Sequence, residues 1–405
     1  MVKIDLSGFP AIDIGGIPTE PGSAGRLKQR IRRNLKGQGG SSFKLSWTTT
    51  VPRLVLTSDT DEFDETIIQH FHEEGFQLAY LAYTGDHADY VARLQHLQDP
   101  LELGEKYAIV AYGDAAALVL EACMKPMPKL VGVIAYYPPY MPRTTTSFPP
   151  TLNVQIHLAS SQKFGTRHPS YRYDHTYEGF AEHDLEEYDK VAARLAWSRD
   201  ITLLHRSFDM PEYDLEAIWE NHTRLEFEEK DVAKTLGTMV SSQPYVNHVP
   251  TMTGGIGRDD LHRFYSEFFM PNNPPSMKIR LLSRTVGADR VVDEMLVKFT
   301  HTTEIPWMLP GVPPTEKRVE VVLVSVVSMR AGRLAHEHIH WDQASVLVQI
   351  GLLDPELVPK TFKTAEEGRE KEVKRLPVCG KEAARKVVDE ERYESNELIP
   401  GWSKE

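Results

Sequence analysis

Two stretches in the carboxyl-terminal half of the sequence carry residues that could move protons. In the strand predicted at 290–301, period-two alternation places Asp293 and His301 on the inward face. In the strand predicted at 334–342, the same alternation places Glu337 on the more apolar, inward face. A carboxylate among aromatic groups has its charged form disfavoured, which raises its pKa, and an adjacent imidazole can then hold or return the proton. This chemistry suits enolisation, elimination, epimerisation or ring closure without a cofactor.

The helices and the loop before these strands offer further groups for the same site. His248 lies in a loop at 243–255 that is rich in proline, threonine and glycine, and it is the fourth candidate catalytic residue. An alternative role for Asp293 and Glu337 is structural, because buried carboxylates also satisfy backbone groups or basic neighbours such as Arg284. Six side chains are predicted to line the substrate pocket: His222, Trp219, Tyr245, Tyr265, Phe268 and Trp341.

Three histidines at alternate positions of the last predicted strand raise the question of a metal. They are His336, His338 and His340. Residues at that spacing lie about 6.6 to 6.8 Å apart on one face, and imidazoles at that separation can converge on zinc. Such rows more often lie on an outer face or in a subunit contact, so we expect neither a metal nor another cofactor. The outer face is apolar at 322–326, which is compatible with a homodimer or with cover from the first half of the chain.

Changes in composition and periodicity divide the chain into four parts. Residues 1–41 are an amino-terminal arm dominated by glycine, proline and basic residues. Residues 42–210 alternate short apolar strands with helices, which predicts a three-layer α/β domain with a parallel sheet covered on both faces. Residues 211–355 place helices before four strands, which predicts an α+β cone, a sheet curled around helices. Residues 356–405 form a charged tail with apolar anchors.

Length and composition exclude several classes of protein. The chain has 405 residues, 41% hydrophobic and 26% charged, which is normal for a soluble globular protein with two domains. A formal charge of −12 argues against a nucleic-acid partner, and no run approaches the roughly 20 apolar residues that span a bilayer. The two cysteines, Cys123 and Cys379, suggest neither a disulfide framework nor a thiolate metal cluster. We therefore expect a cytoplasmic protein that binds a small molecule and neither nucleic acid nor membrane.

In the first half, residues 111–115 (AYGDA) follow a predicted strand and precede a predicted helix. Hydrolases present a nucleophile in this context as G-x-S-x-G on a sharp turn. Here the nucleophile position is Gly113, which has no side chain. Covalent acyl transfer needs a hydroxyl or thiol with an adjacent base, so the sequence predicts that this chemistry is absent.

Residues 50 to 210 resemble the dienelactone hydrolase family of α/β-hydrolases, through the segments 108–117, 156–159 and 171–180. That family uses a Cys-His-Asp triad. The cysteine falls on Gly113 and the histidine on Glu178, while the aspartate position meets residues 160–162 (SSQ), so the resemblance implies a pseudo-hydrolase. Asp114, His175 and Glu178 could form a different acid–base group, or they could be loop residues bonded to water or backbone.

Residues 212 to 355 resemble the SnoaL-like branch of the NTF2-like family, best known for polyketide cyclases. The likeness rests on 291–294 (VVDE), 299–302 (FTHT), 309–315 (LPGVPPT) and 337–343 (EHIHWDQ). The cyclase branch uses a histidine on its third strand and an aspartate on its fourth. Aligning the turn at Gly332 puts these positions at Ser325 and Ile339, so that pair is absent as well. The two resemblances together are familiar from fungal proteins, which suggests a fungal origin.

The leading expectation is a cyclase, isomerase or lyase of secondary metabolism that acts by acid–base catalysis on a small, oxygenated, polyketide-like metabolite in the second domain. One alternative is a hydrolase of the dienelactone, ester or lactone type that uses unfamiliar residues in the first domain. The other is a binding or scaffold protein with two inactive sites, which closed, side-chain-filled cavities in both halves would favour.

Overall fold

The computed structural model describes residues 51–142, 147–166, 168–210, 213–358, 364–366, 369–371 and 375–399. The chain divides into two compact units, unit 1 at 1–212 and unit 2 at 213–405. The predicted amino-terminal arm lies outside the described residues. Within the described ranges, no helix has both the length and the apolar character that crossing a membrane requires.

Unit 1 alternates strands and helices, as the sequence predicted. The strands are β1 (Arg53–Ser58), β2 (Gln77–Ala82), β3 (Tyr107–Tyr112), β4 (Leu130–Tyr136), β5 (Asn153–Ala159) and β6 (Ser170–Tyr173). The helices are α1 (Glu65–Glu73), α2 (His87–Gln95), α3 (Gly113–Ala122) and α4 (Lys190–Phe208). The six strands are all parallel, in the order β2-β1-β3-β4-β5-β6.

Both faces of this sheet are buried, which explains why its strands are almost continuously apolar. Along β1, Leu54 and Leu56 pack in one apolar cluster together with Phe71 of α1. Val55, between them, packs in a second cluster with Leu94 of α2. Alternate side chains of one strand therefore serve two separate cores, as expected for a parallel sheet between helical layers.

Unit 2 combines helices with a mixed sheet. Its helices are α5 (Leu215–Arg224), α6 (Val232–Gly237), α7 (Arg258–Arg263), α8 (Gln343–Ile350) and α9 (Lys381–Val388). Two π-helical turns, Leu225–Glu229 and Phe264–Phe269, continue α5 and α7, and a 3-10 turn follows at Met270–Asn272. The strands are β7 (Tyr245–His248), β8 (Thr253–Ile256), β9 (Lys278–Val286), β10 (Arg290–Thr300), β11 (Arg318–Arg330), β12 (Arg333–Trp341), β13 (Thr364–Glu366) and β14 (Arg369–Lys371).

The main sheet of unit 2 has the order β8-β7-β12-β11-β10-β9, and its last four strands form the predicted antiparallel meander. Gly332, with φ of +68°, forms the turn between β11 and β12. Bulges interrupt the register at Glu294/Met295 and at Ser328/Met329, and bulges of this kind bend strands. The concave side covers one apolar core that includes Trp219, Val297 and Trp341.

The hairpin β7–β8 differs from the prediction, which gave a loop over 243–255. β7 pairs in parallel with β12, so its partner lies about 90 positions further along the chain, where local periodicity cannot reveal it. β8 contains Gly254 with φ of +136°, and a Cβ atom there would lie 2.1 Å from the Val246 carbonyl oxygen. Glycine is therefore needed at this position, although glycine-rich sequence is typical of loops.

Part of the predicted tail packs on unit 2. The hydroxyl of Ser345, near the start of α8, donates to the Gly380 carbonyl oxygen at 2.8 Å. Arg385 on α9 donates to both carboxylate oxygens of Glu320, at 3.0 and 2.6 Å. These contacts attach α9 to β11.

Candidate active site

Three buried ionisable side chains meet in the core of unit 2. His222 on α5 and Glu226 in the following π-helical turn are four residues apart, a spacing at which helical side chains are neighbours. Nε2 of His222 lies 3.0 Å from Oε1 of Glu226 and 3.1 Å from Oε1 of Glu337 on β12. The exposed fractions are 0% for His222, 4% for Glu226 and 3% for Glu337. A histidine and two carboxylates are thus held together away from solvent, and we call them the His222 cluster.

The opposite side of the His222 ring is fixed by Thr238. Nδ1 of His222 lies 2.5 Å from the Thr238 hydroxyl oxygen, and that hydroxyl donates to the Thr235 carbonyl oxygen at 2.7 Å. Because the Thr238 proton is already used, its oxygen must accept from His222, so Nδ1 carries a hydrogen. Nε2 is therefore the ring atom that exchanges protons with the carboxylates.

A single hydrogen on Nε2 cannot serve both carboxylates. The contact with Glu226 has hydrogen-bond geometry, whereas Oε1 of Glu337 has no hydrogen-bond partner in the part of the chain that the structure describes. A buried carboxylate oxygen without a donor is costly, and it commonly marks a functional position. Oε1 of Glu337 is the open acceptor of the His222 cluster.

Burial and charge both change proton affinities in this cluster. Burial opposes the charged imidazole, but Glu226 and Glu337 outweigh it and raise the pKa of His222 to about 10. Burial also raises the pKa of Glu337, Glu226 raises it further, and His222 opposes both. Tyr265 is 1% exposed, and burial together with the charges of Glu226 and Glu337 raises its pKa well above the usual value. The tyrosine therefore remains a neutral hydroxyl at physiological pH.

Asp293 lies near this cluster but is fully engaged. Its two oxygens accept from Arg284 at 2.7 and 2.9 Å, and one of them also accepts from the indole nitrogen of Trp219 at 2.8 Å. The Trp219 ring stacks beside His222, with ring centroids 5.6 Å apart. These contacts give Asp293 a positioning role, because its carboxylate holds the tryptophan that packs against the imidazole.

The structure separates His301 from the other candidates. Glu337 is in register with Val327 of β11, which is in register with Val291 of β10. His301 follows β10 and lies ten positions beyond Val291, which corresponds to roughly 33 Å along a strand. His301 is buried, its Nδ1 lies 3.1 Å from the Thr315 hydroxyl, and burial lowers its pKa.

His248 lies inside unit 2 among aromatic rings rather than carboxylates. Its ring centroid is 4.9 Å from that of Trp307 and 5.6 Å from that of Phe264. Nδ1 lies 3.2 Å from the Thr253 carbonyl oxygen. Burial lowers the pKa of His248 to about 4, although the bond to Thr253 opposes this shift. His248 is therefore a neutral part of an apolar, aromatic surface.

The predicted substrate-binding residues divide into two groups. Four are buried in the core of unit 2, namely His222, Trp219, Tyr265 and Trp341. The other two face elsewhere. Tyr245 packs against His338 on the opposite face of the sheet, with ring centroids 5.5 Å apart, and Phe268 is 37% exposed beneath Arg263.

The two positions that the sequence resemblance aligned with the cyclase pair, Ser325 and Ile339, are direct neighbours. Ser325 on β11 is in register with Ile339 on β12 and with Asp293 on β10. The Ser325 hydroxyl is buried, and it has no hydrogen-bond partner among the described residues.

Sequence reasoning did not single out Glu226 or Thr238. Glu226 could have been found from its spacing of four residues from His222, but nothing local indicates Thr238.

In unit 1, a tight turn joins β3 to α3 at Gly113, the residue that the sequence resemblance aligned with a cysteine nucleophile. Gly113 begins α3 directly after β3 with φ of +59°, and a Cβ atom there would lie 3.4 Å from a carboxylate oxygen of Asp59. Glu178 accepts a hydrogen bond from the Ser161 hydroxyl at 2.9 Å. The structure thus has a positive-φ glycine at the start of α3 and a hydrogen-bonded carboxylate at Glu178.

Two sets of residues in unit 2 have side chains of the types that bind metals. His222, Glu226 and Glu337 each offer one ligand atom, and these three atoms lie within 4.8 Å of one another, a spacing that a metal ion can bridge. The predicted row on the last strand lies on the other face of the sheet, where the rings of His336 and His338 are 5.4 Å apart and His340 is exposed.

Comparisons with known proteins bear on the second half of the chain. Comparison with curated proteins returns no match to this sequence. The chain is similar to the structure of TsrD from Streptomyces laurentii, with 16% identity over 34% of this chain and 96% of that chain and a TM-score of 0.28. It is also similar to IdmH from Streptomyces antibioticus, a candidate polyketide cyclase, with 17% identity over 34% of this chain and 99% of that chain and a TM-score of 0.26. The family model of the SnoaL-like domain matches residues 219–337, the stretch that holds the His222 cluster, and this part of unit 2 is a SnoaL-like domain.

Proposed function

We propose that unit 2 is an acid–base catalyst of the cyclase, isomerase or lyase type that acts on a small, oxygenated, polyketide-like metabolite. The observation that carries the proposal is the geometry of the His222 cluster. One imidazole nitrogen faces two buried carboxylates, and Oε1 of Glu337 lacks a donor among the described residues. The match to the SnoaL-like domain over residues 219–337 supports the class of reaction.

The proposed roles follow from which atoms are free. Glu337 is the base, because its open oxygen can take a proton from a carbon next to a carbonyl group. The electron pair of that C–H bond moves to the carbonyl oxygen and forms an enolate. Nε2 of His222 supplies a proton to the new oxyanion, while Thr238 keeps Nδ1 protonated and the ring in one orientation. Tyr265 stays neutral and stabilises the oxyanion by donating a hydrogen bond.

Hydrogen–deuterium exchange at carbon tests this function without knowledge of the final product. The full-length protein would be incubated in deuterated water with a panel of linear and cyclic β-dicarbonyl compounds, and deuterium uptake would be followed by mass spectrometry. Glu337→Gln should lower the exchange rate by at least about 100-fold, the usual contribution of a general base. Glu294→Gln is the matched control, because Glu294 lies on β10 and pairs with Ser283 outside the cluster. Exchange that Glu337→Gln leaves at the wild-type rate would contradict the assignment.

For unit 1 we propose an α/β-hydrolase-like domain without triad chemistry. The positive φ of Gly113 between β3 and α3, in an all-parallel sheet, favours this origin. The missing side chain at Gly113 and the carboxylate of Glu178 argue against acyl transfer. The test is incubation with activated esters and lactones, for which no acid release above the buffer rate is expected. Release that depends on unit 1 residues would support the hydrolase alternative.

A further inference from the structure

The His222 cluster has the composition and spacing of a three-ligand cation site. Its ligand atoms are one imidazole nitrogen and two carboxylate oxygens, all within 4.8 Å of one another. Each of the three side chains is at least nine-tenths buried. Imidazole and carboxylate are ordinary zinc ligands, and three protein ligands leave a coordination position for water or a substrate oxygen.

The surroundings of the histidine match those of metal-bound imidazoles. Histidine ligands almost always donate their second ring N–H to an acceptor, which fixes the tautomer and leaves the other nitrogen to face the metal. In this cluster the Thr238 hydroxyl oxygen is that acceptor, at 2.5 Å from Nδ1, and its own proton goes to the Thr235 carbonyl oxygen. Nε2 is therefore directed at the point that both carboxylates face.

Charge and hydrogen bonding leave the two carboxylates incompletely compensated, because the His222 imidazolium supplies one positive charge and one Nε2 hydrogen for both of them. The two carboxylates are buried and removed from water, and a buried charge is tolerated only when it is paired. The one N–H of Nε2 serves Glu226 and leaves Oε1 of Glu337 without a donor in the described chain. A divalent cation would contact both carboxylates at once and neutralise their two negative charges.

We propose that His222, Glu226 and Glu337 bind a divalent transition-metal cation, with zinc as the reference ion, in exchange for the proton that they otherwise share. Binding itself depends only on this geometry. Its consequence rests on the proposed function, because the cation occupies the nitrogen and the oxygen that exchange protons with substrate. Zinc therefore inhibits the acid–base reaction, and turnover depends on the supply of free cation.

Calorimetry with zinc chloride on chelator-treated, full-length protein tests the proposal. One zinc ion per chain is expected, and Glu226→Gln and Glu337→Gln should each weaken its binding at least tenfold. His338→Ala is the control, because His338 lies on the other face of the sheet beside His336 and should leave binding unchanged. Zinc binding that is lost in the control, that is unaffected by both glutamine variants or that is absent from the wild-type protein overturns the proposal.

X-ray absorption at the zinc edge on the wild-type protein decides the matter if the glutamine variants do not fold. One imidazole among otherwise oxygen ligands is expected, and two or more imidazoles would contradict the site.

The deuterium-exchange assay separates the two proposals. If zinc binds as described but does not slow deuterium exchange, the proposed function is refuted and the metal site stands. If deuterium exchange is lost in Glu337→Gln but the wild-type protein does not bind zinc, the metal site is refuted and the proposed function stands.

Discussion

The indole nitrogen of Trp219 donates to a carboxylate oxygen of Asp293 at 2.8 Å. The same carboxylate is paired with Arg284, and the indole ring stacks beside His222. Asp293 was a candidate catalytic base from the sequence, yet the structure uses its oxygens to hold an aromatic side chain against the imidazole. A group that orients the site affects the stability of the fold as well as the activity, which distinguishes it from a group that only reacts.

Replacing Asp293 should destabilise the fold as well as the site. Asp293→Asn keeps an acceptor for Trp219 but leaves Arg284 facing a neutral group, so we expect a loss of about 2 to 3 kcal/mol in the free energy of unfolding. Urea denaturation followed by tryptophan fluorescence measures this loss. Glu294→Gln, on the next residue of β10, should change the same quantity by less than about 0.5 kcal/mol. Equal effects of the two substitutions would refute a special role for Asp293.

Thr238 should matter through its hydroxyl rather than its shape. Thr238→Val removes the acceptor for Nδ1 of His222 and leaves a buried N–H without a partner, which should cost about 1 to 3 kcal/mol of stability. Exchange activity should fall with it, because the ring is no longer held in one orientation. Thr238→Ser restores the hydroxyl and should restore both stability and activity. Failure of the serine variant to rescue would indicate that the methyl group, and not the hydrogen bond, is important.

His248 should make unit 2 sensitive to acid. Burial lowers the pKa of His248 to about 4, whereas an unfolded chain has a histidine pKa near 6.5. The unfolded state therefore binds more protons between these values, so this contribution to stability is intact above about pH 6.5 and is lost as the pH falls towards 4. The full loss amounts to about 3 kcal/mol.

The measurement for His248 is the free energy of unfolding across pH 4 to 7, compared between the wild type and His248→Phe. The phenylalanine variant lacks the bond to the Thr253 carbonyl oxygen, so its absolute stability should be lower. Its dependence on pH should nevertheless be shallower, because phenylalanine does not titrate. Parallel pH profiles for the two proteins would show that His248 does not cause the acid sensitivity.

A side chain at Gly113 should strain unit 1 without creating a hydrolase. Gly113→Ser places a Cβ atom on a residue with φ of +59°, 3.4 Å from Asp59, and should cost roughly 1 to 3 kcal/mol. No ester hydrolysis should follow, because Glu178 stands at the position where the resemblance to dienelactone hydrolases implies the general base. Gly165→Ser is the control, since a Cβ atom there meets open space. A burst of product from an activated ester in Gly113→Ser would show that another base is in place.

Much of the fold follows from local patterns in the sequence. The strands of unit 1 and the meander of unit 2 are apolar runs or alternations bounded by glycine and polar residues, and the structure contains the parallel sheet and the four-stranded meander that these patterns predicted. Alternation also predicted that Asp293 and Glu337 are buried. Alternation alone does not identify the partner of Asp293, because that partner comes from a neighbouring strand, but the structural alternative named Arg284, and the structure confirms the pairing of Arg284 with Asp293.

The centre of the site was harder to predict, because it depends on contacts between distant segments. Thr238 lies 16 positions from His222 and 99 from Glu337, and no local pattern connects these three residues. His301 illustrates the opposite error. His301 and Asp293 are an even number of positions apart, so alternation predicts that they face the same side of the strand. Alternation does not give the distance along the strand, and the two residues are separated by roughly 26 Å.

The two π-helical turns have a further consequence for how this site could have arisen and how easily it could be lost. Glu226, a member of the His222 cluster, lies in the turn Leu225–Glu229, and Tyr265, the proposed oxyanion donor, lies in the turn Phe264–Phe269. A π-helical turn contains one residue more than regular α-helical winding, so deleting a single residue would rotate everything beyond it by about 100°. The orientation of the residues at the end of each turn therefore depends on one inserted residue, and a single codon deletion would turn those residues towards another side of the helix.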